Sequence, residues 1–320
     1  MFQNSCKDKK MTNIVPTLAF LILFCSCISP GKNGEYKKAS VLEDAVEINA
    51  EEYIPGLSAT LNEISGLIIY DGLFWGFNDS GGKDELYGFD LSGEIMREVE
   101  IDDADNDDWE SITQNEKHIF IGDFGNNGGH RKNLCIYKIK KKDLDNEKKQ
   151  KVEAKKIEIE YANQEEFGYS HLSTPFDCEA MVEFEDNLYI FSKDWAERTT
   201  VSYKIPVKRG KYKLHAVDTF DVHGLITGAD INPDKNRLAL LGYENYKAFI
   251  WLFSGFEGDD FLSGKAQLIQ LPNLDNAQTE GICFLGNDSL LVACENSRGI
   301  RQQVFLVDLK KISNETHSGE

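Results

Sequence analysis

"DDWESITQNEKHIFIGDFGNN" (residues 107–127) opens with carboxylates around Trp109, then reads as an apolar strand, a polar turn and a second strand ending in Asp123. A carboxylate at the mouth of an apolar strand, here Glu110, is expensive to bury without a partner. The stretch has four relatives in the same chain. With the first buried strand position set at Leu67, Ile112, Met181, Ile231 and Ile282, they read "NEISGLIIYDGLFWGFNDSG", "FDCEAMVEFEDNLYIFSKDW", "ITGADINPDKNRLALLGYEN" and "QTEGICFLGNDSLLVACENS". Subtracting those positions gives spacings of 45, 69, 50 and 51 residues, a period that marks stacked or radial repeats.

Each repeat has the same grammar. A short apolar strand is followed by a turn signal such as Asp71-Gly72, Asp186-Asn187 or Gly286-Asn287-Asp288, which suits β-hairpins. A second strand ends in polar residues. A third alternates ("ELYGFDL", "LCIYKIK", "TVSYKIP", "AFIWLFS", "QVFLVDL"), and a fourth shows as "EIMREVEI", "KKIEIEYA", "YKLHAVDTF" and "AQLIQL". No amphipathic helix of three or more turns interrupts the series. The pattern predicts an all-β fold, a β-propeller of four-stranded antiparallel blades. Five blades are expected, or six with a divergent one in the ends or before Asp177. The last repeat lacks its fourth strand. "SVLEDAVEI" (residues 40–48) is expected to supply it, closing the ring with an N-terminal strand and removing an exposed sheet edge. The basic run "KIKKKDLDNEKKQKVEAKK" reads as a protruding, solvated hairpin of the second blade, its mixed charges arguing against a nucleic-acid patch.

The N-terminus reads differently. "KDKK" (residues 7–10) precedes "IVPTLAFLILF" (residues 14–24), the makings of a secretory signal peptide over residues 1–26. The following Phe24-Cys25-Ser26-Cys27 resembles a bacterial lipobox, which implies that Cys27 is the lipidated first residue of the mature chain. Residues 27–39 form a polar tether, residues 40–313 a single propeller domain and residues 314–320 a disordered tail. Localisation is then the cell envelope, anchored by lipid, at the outer membrane, with periplasmic and surface faces both open. The formal net charge is −19; cleavage after Ser26 removes three Lys and one Asp and leaves about −21. Such a chain repels phosphate backbones, which excludes a general nucleic-acid role. Cys135, Cys178, Cys283 and Cys294 remain, with no CxxC or His-rich spacing for zinc. Cys283 and Cys294 flank one hairpin and are opposite each other or on opposite faces, depending on its register.

Because antiparallel strands reverse direction, the residues leading into each first strand and the loops between second and third strands lie on one face of the ring. Glu110, Glu179 and Glu280 stand two places before the aligned position; Ser65 and Ala229 stand there in the first and fourth repeats. Four places before it, Asp108 and Asp177 follow the two-residue alternation of a strand and are expected to point with Glu110 and Glu179. Carboxylates gathered at an axis repel unless protonated, hydrogen-bonded or bridged by a cation. The metal candidates are therefore Glu110, Glu179, Glu280, Asp108 and Asp177, and the ion that suits all-oxygen ligands is calcium. The competing expectation is that each Glu accepts N–H bonds from the next blade and glues the ring.

Asp123, His130, Arg131, His171, Lys193 and Arg298 are assigned to the same rim as ligand-binding candidates, with His223 nearby; a cation with Arg or His suits a phosphate or carboxylate ligand. "FGNNGG" follows no strand-to-helix junction, so it is not a P-loop. Ser170 and Ser173 beside His171 form no GxSxG elbow.

Taken together, "NEISGL", "FNDSGG", "DWESI", "IGDFGNN", "FDCEAM", "LITGADIN" and "TEGICF" resemble a family of secreted or lipid-anchored propeller proteins of Bacteroidota-type bacteria. The likeness runs from about Leu61 to Ile312 and implies no particular reaction. In plan, the acid-lined ring is similar to calcium-dependent nucleotidase, gluconolactonase-like and phytase-like propellers, a fold-level analogy. Two functions are expected: a binding propeller whose funnel recognises a small molecule or protein, and, as the alternative, a divalent-metal-dependent hydrolase of phosphoester or lactone bonds.

Overall fold

A computed structural model describes residues 40–312 except Glu43, Ser80, Asp145 and Asn146. The expected signal peptide, the expected lipidation site Cys27, the expected tether and the expected C-terminal tail lie outside the described residues. The described strands form five four-stranded antiparallel units, called blades below. Blade 1 is Ile64–Tyr70, Leu73–Asn78, Glu85–Phe89 and Ile95–Asp102. Blade 2 is Trp109–Gln114, His118–Asp123, Cys135–Lys140 and Lys149–Tyr161. Blade 3 is Asp177–Phe184, Asn187–Lys193, Thr199–Pro206 and Ala216–Asp221. Blade 4 is Leu225–Ile231, Arg237–Glu244, Lys247–Ser254 and Lys265–Gln270. Blade 5 is Thr279–Phe284, Ser289–Cys294 and Gln303–Asp308, completed by Glu51–Ile54.

The first strand of every blade touches the first strands of both neighbours, and blade 5 returns to blade 1, so the inner strands close a ring. This is an all-β propeller-like fold. Local chemistry sets the hairpins: Asp71 and Gly72 both adopt positive φ (51° and 74°) in a two-residue turn, the geometry that matches strand twist and favours Asp-Gly. Packing sets the ring. Trp109 of blade 2 is fully buried, its ring edge-on to Phe77 of blade 1 at 5.5 Å, an arrangement aromatic quadrupoles favour. Small residues let the inner strands approach. A Cβ on Gly281 would lie 3.0 Å from the carbonyl carbon of Gly66, and one on Gly66 would lie 2.7 Å from Ile112 Cγ2.

Ring closure differs from the expectation in its residues. Ser40–Val41 and Val46–Glu47 pair in parallel with Lys265–Gln270 on the outer edge of blade 4. The strand that completes blade 5 is Glu51–Ile54, a few residues further on. The segment over residues 40–48 thus covers one sheet edge and delivers the chain to the next.

The basic run is not a free hairpin either. Lys149–Tyr161 is a 13-residue strand. Its first part pairs in parallel with Ile95–Asp102 of blade 1, with Lys149 on Glu98 (2.6 Å) and Lys151 on Glu100 and Asp102 (both 2.9 Å). Alternating acid and base across two outer strands is what a cross-strand ladder needs. "YKLHAVDTF" likewise serves two blades: Gly210–Leu214 extends blade 2, while Ala216–Asp221 is blade 3's own fourth strand. Cys283 pairs with Leu291 and Cys294 with Thr279, so the hairpin register separates the two thiols; all four described cysteines are buried and free. Among the described residues, no helix is long and apolar enough to cross a membrane.

Candidate functional site

Every inner strand departs from regular pairing near its start. In blade 2 the register jumps between Trp109 and Ser111, leaving Glu110 as the extra residue. In blades 3 and 5 the extra residues are Glu179 and Glu280, in blade 4 Thr227. Blade 1 bulges between Ser65 and Ile68, where Gly66 takes φ 70°. A bulge inserts one residue, breaks the two-residue alternation and re-aims the side chain it carries. This corrects two expectations. The blade 4 counterpart of Glu110 is Thr227, not Ala229. Alternation also fails at the bulge: Asp177 and Glu179 go to different partners instead of forming one pair.

In the two blades without an acid there, the short hydroxyls join neighbours. Ser65 Oγ donates to the Glu110 carbonyl (3.3 Å) and Thr227 Oγ1 to the Thr279 carbonyl (2.6 Å). Glu110 itself is 4 % exposed, and among the described residues it makes no ion pair. Oxygens of Asp79, Asp108 and Glu110 lie within 4.8 Å of one another. Gly125 makes this close approach possible: a Cβ there would sit 2.4 Å from Asp108 Oδ2 and 2.6 Å from Glu110 Oε1. Burial, then Asp79 and Asp177, push the Asp108 carboxyl up to about 7. Burial first and Glu179 second hold Glu110 well above the usual carboxylate range.

In the adjacent blade 3, Glu179 Oε1 receives the Lys193 ammonium, both groups being about 95 % buried. Lys193 also stands over the Trp195 ring (4.9 Å) and the Tyr243 ring (5.5 Å). Burial opposes its charge, but Glu179, Tyr243 and Glu280 together hold it well above the usual lysine range. Glu179 Oε2 is buried and has no hydrogen-bond partner. Glu280 is raised to about 7 by burial, with Lys193 opposing. Glu295, 9 % exposed, is raised to about 8 by burial and then by Glu280 and Asp79.

The remaining expected residues split into two sets. Asp177 is spent on structure: Oδ1 accepts from Asn126 N (2.6 Å) and Cys178 N (3.0 Å), and Oδ2 from Trp195 Nε1 (2.7 Å). Asp123 and Arg131 form a 2.7 Å ion pair, and Arg131 Nη1 also donates to the Gly125 carbonyl. That pair holds the loop that carries Gly125. His130, His171 and Arg298 are exposed; Arg298 lies over the Tyr246 ring at 3.8 Å, and His223 contacts Asp221 (3.1 Å). Among the described residues, no ion pair joins the three histidines to the buried acids. Residues 162–176 fold beside the "GNNGG" loop through Gly168 N to the Gly129 carbonyl and Tyr169 N to the Gly128 carbonyl. Lys193 belongs to the acid set rather than to the open rim.

Asp79 and Glu295 were not among the expected site residues. Their signal was present: both close second strands, as Asp123 and Lys193 do, and that loop faces the same mouth.

No protein-family profile matches the chain, and no curated protein matches it. Among solved structures it is similar to an exo-β-1,3-galactanase from Phanerochaete chrysosporium (TM-score 0.49, 10 % identity, 83 % of this chain and 65 % of that one). It is also similar to the β-propeller domain of Cps50 (Swd1) from Myceliophteria thermophila (TM-score 0.43, 7 % identity, 82 % and 99 %). A third is a hypothetical selenium-binding protein from Sulfolobus tokodaii (TM-score 0.41, 11 % identity, 74 % and 73 %). The fold described above rests on the strand pairing of this chain.

Proposed function

We propose that this chain is a cell-envelope binding propeller of the Bacteroidota-type family it resembles, lipid-anchored through Cys27, recognising a small molecule or protein at the acid-lined mouth. A divalent cation, calcium by ligand type, is held there by Asp79, Asp108 and Glu110. The observation that carries this reading is the approach of those three side chains to within 4.8 Å, with no ion pair made by Asp108 or Glu110 among the described residues. Carboxylate oxygens suit a hard cation, which removes the repulsion that burial otherwise imposes. The finding refines the expected ligand set. Asp79 joins it, Asp177 is engaged by three N–H donors, and the Glu179–Glu280 side has Lys193 as its own cation. The test is metal analysis and calcium titration of the purified protein against Glu110→Gln/Glu179→Gln. One ion per chain with a raised melting temperature in calcium is expected, and loss of both in the variant. No ion in the wild type, with the same melting curve in calcium and chelator, sinks the reading. Cys27→Ser is expected to release the protein from membranes; persistence in the membrane fraction sinks the anchor.

Glu295 favours a second reading, a divalent-metal-dependent hydrolase of phosphoester or lactone bonds. It is a buried carboxyl pushed up to about 8 beside the same acids, in the range of a proton-transfer group at neutral pH. Calcium-dependent turnover of a phosphoester or lactone substrate, lost in Glu295→Gln, supports it; no turnover of either substrate class removes it.

A further inference from the structure

The mouth at which the inner strands end surrounds a cavity of about 600 Å³, a volume in the range of small-molecule sites. Hairpin turns of blades 2, 3 and 4 and the inner-strand ends of blades 1 and 5 form its wall. That wall is braced. Buried Asn232 of blade 4 accepts from Arg237 N (2.8 Å) and donates to Asn287 Oδ1 (2.8 Å) in the turn of blade 5. Glu183 N of blade 3 donates to Thr113 Oγ1 of blade 2 (3.2 Å). A cavity set by such bonds needs little ordering when a ligand enters.

The lining narrows the ligand class. Its charged side chains are five carboxyls against two lysines, Lys117 and Lys235, a balance that attracts cations. Ile69, Ile231 and Phe284 share the wall. They offer apolar surface that a bare metal ion leaves unused and a carbon chain covers. An organic cation meets both conditions.

Lys235 marks the place for such a cation. Glu183 is 6 % exposed, and its Oε1 accepts from Asp186 N (3.0 Å). Its Oε2 lies 3.8 Å from the Lys235 ammonium, beyond hydrogen-bond length. The same ammonium stands over the Phe184 ring at 5.3 Å. A carboxylate beside an aromatic ring suits an ammonium group. The lysine is nonetheless weakly held, because its side chain is 46 % exposed and exposed pairs contribute little. An incoming ammonium that hydrogen-bonds Oε2 directly displaces it.

We infer that this cavity is a binding site for a small organic amine. Glu183 receives the ammonium, Ile69, Ile231 and Phe284 cover the carbon body, and Lys235 is a tethered competitor for the same carboxylate. The site is separate from the acid-lined mouth and does not depend on a metal ion there.

The test is calorimetric titration of the purified protein with hexylamine, hexan-1-ol and hexanoate, which share a carbon chain and differ in the head group. Hexylamine is expected to bind at least about 10-fold more tightly than the alcohol, the scale of a hydrogen bond to a charged group, and hexanoate more weakly than either. Glu183→Gln keeps an acceptor for Asp186 N and is expected to weaken hexylamine about 10- to 100-fold. Lys235→Ala is expected to strengthen it about two- to fivefold, the scale of the exposed ion pair it removes. Lys247→Ala, which removes the same charge at the opposite mouth, is expected to change it less than about 1.5-fold, since salt screens charges at that range. Tightest binding of hexanoate, or no binding of any probe, overturns the inference. So does a folded Glu183→Gln of unchanged affinity. If Glu183→Gln fails to fold, Lys235→Ala decides: weaker or unchanged hexylamine binding, or a gain matched by Lys247→Ala, overturns the assignment.

Discussion

The two mouths of the ring use the same residue types to opposite ends. Where the inner strands begin, bulges turn Glu110, Glu179 and Glu280 inward, and Glu110 makes no ion pair among the described residues. Where they end, the ladders run regularly and surround a cavity of about 600 Å³ reached by all five blades, including Ile69, Gln114, Glu183, Asp230 and Phe284. Acids occur at that mouth too, but backbone N–H groups satisfy them. Asp230 Oδ2 accepts from Phe284 N of the next blade (2.7 Å), and Glu183 Oε1 from Asp186 N (3.0 Å). A carboxylate with donors is glue; one among other carboxylates needs a proton or a cation. The bulge decides which, because it lifts the side chain off the ladder that would have supplied its neighbours.

The largest effect that probes this contrast is at Lys193. Lys193→Met leaves Glu179 as an uncompensated buried charge and is expected to destabilise the protein by about 3–5 kcal/mol, with much of this recovered in Lys193→Met/Glu179→Gln. Denaturant midpoints check it; a single variant as stable as wild type breaks the claim that Lys193 is the internal cation of the upper mouth. Next comes Gly125→Ala. Its methyl group would fall among the oxygens of Asp108 and Glu110, so it is expected to cost about 1–3 kcal/mol by overpacking and to abolish calcium binding. Retained calcium affinity would show that the two carboxylates need not meet.

The smallest effect is at the lower mouth and is read against pH. Burial pushes Asp230 up to about 7, above its unfolded value of about 3.9. A raised carboxyl binds its proton more tightly when folded, so its contribution is full below about pH 4 and is lost as pH rises through about 7. Asp230→Asn is expected to flatten the fall in melting temperature between pH 5 and 8, keeping an acceptor for Phe284 N. An unchanged slope would place the pH dependence in the upper acids alone.

Much of this was legible in the chain. Apolar strands, Asp-Gly and Asn-rich turns and the repeat period determined an all-β ring of four-stranded units, because hairpins are built from local residue choices. The repeat also brought Glu110, Glu179 and Glu280 to one level before any contact was known. Asp79 and Glu295 escaped notice because a polar residue at a strand end also suits an ordinary turn. Lys193 looked like a rim cation for the same reason, and only burial beside Glu179 shows its role. Thr227 was displaced by Ala229 because a two-residue period cannot reveal a bulge, whose extra residue is set by how closely neighbouring inner strands pack.

By itself, then, the sequence determined the unit, its repetition and the acids that enter the ring, all of which depend on neighbours a few residues apart. Tertiary structure alone decided which acid meets a base, which meets an N–H and which meets only other acids. It also decided that Glu51–Ile54 closes blade 5 while the preceding residues guard blade 4. Those outcomes turn on contacts as near as Glu179 and Lys193 across one hairpin and as distant as Ile54 and Val304, where a shift of one residue reverses the direction of a side chain.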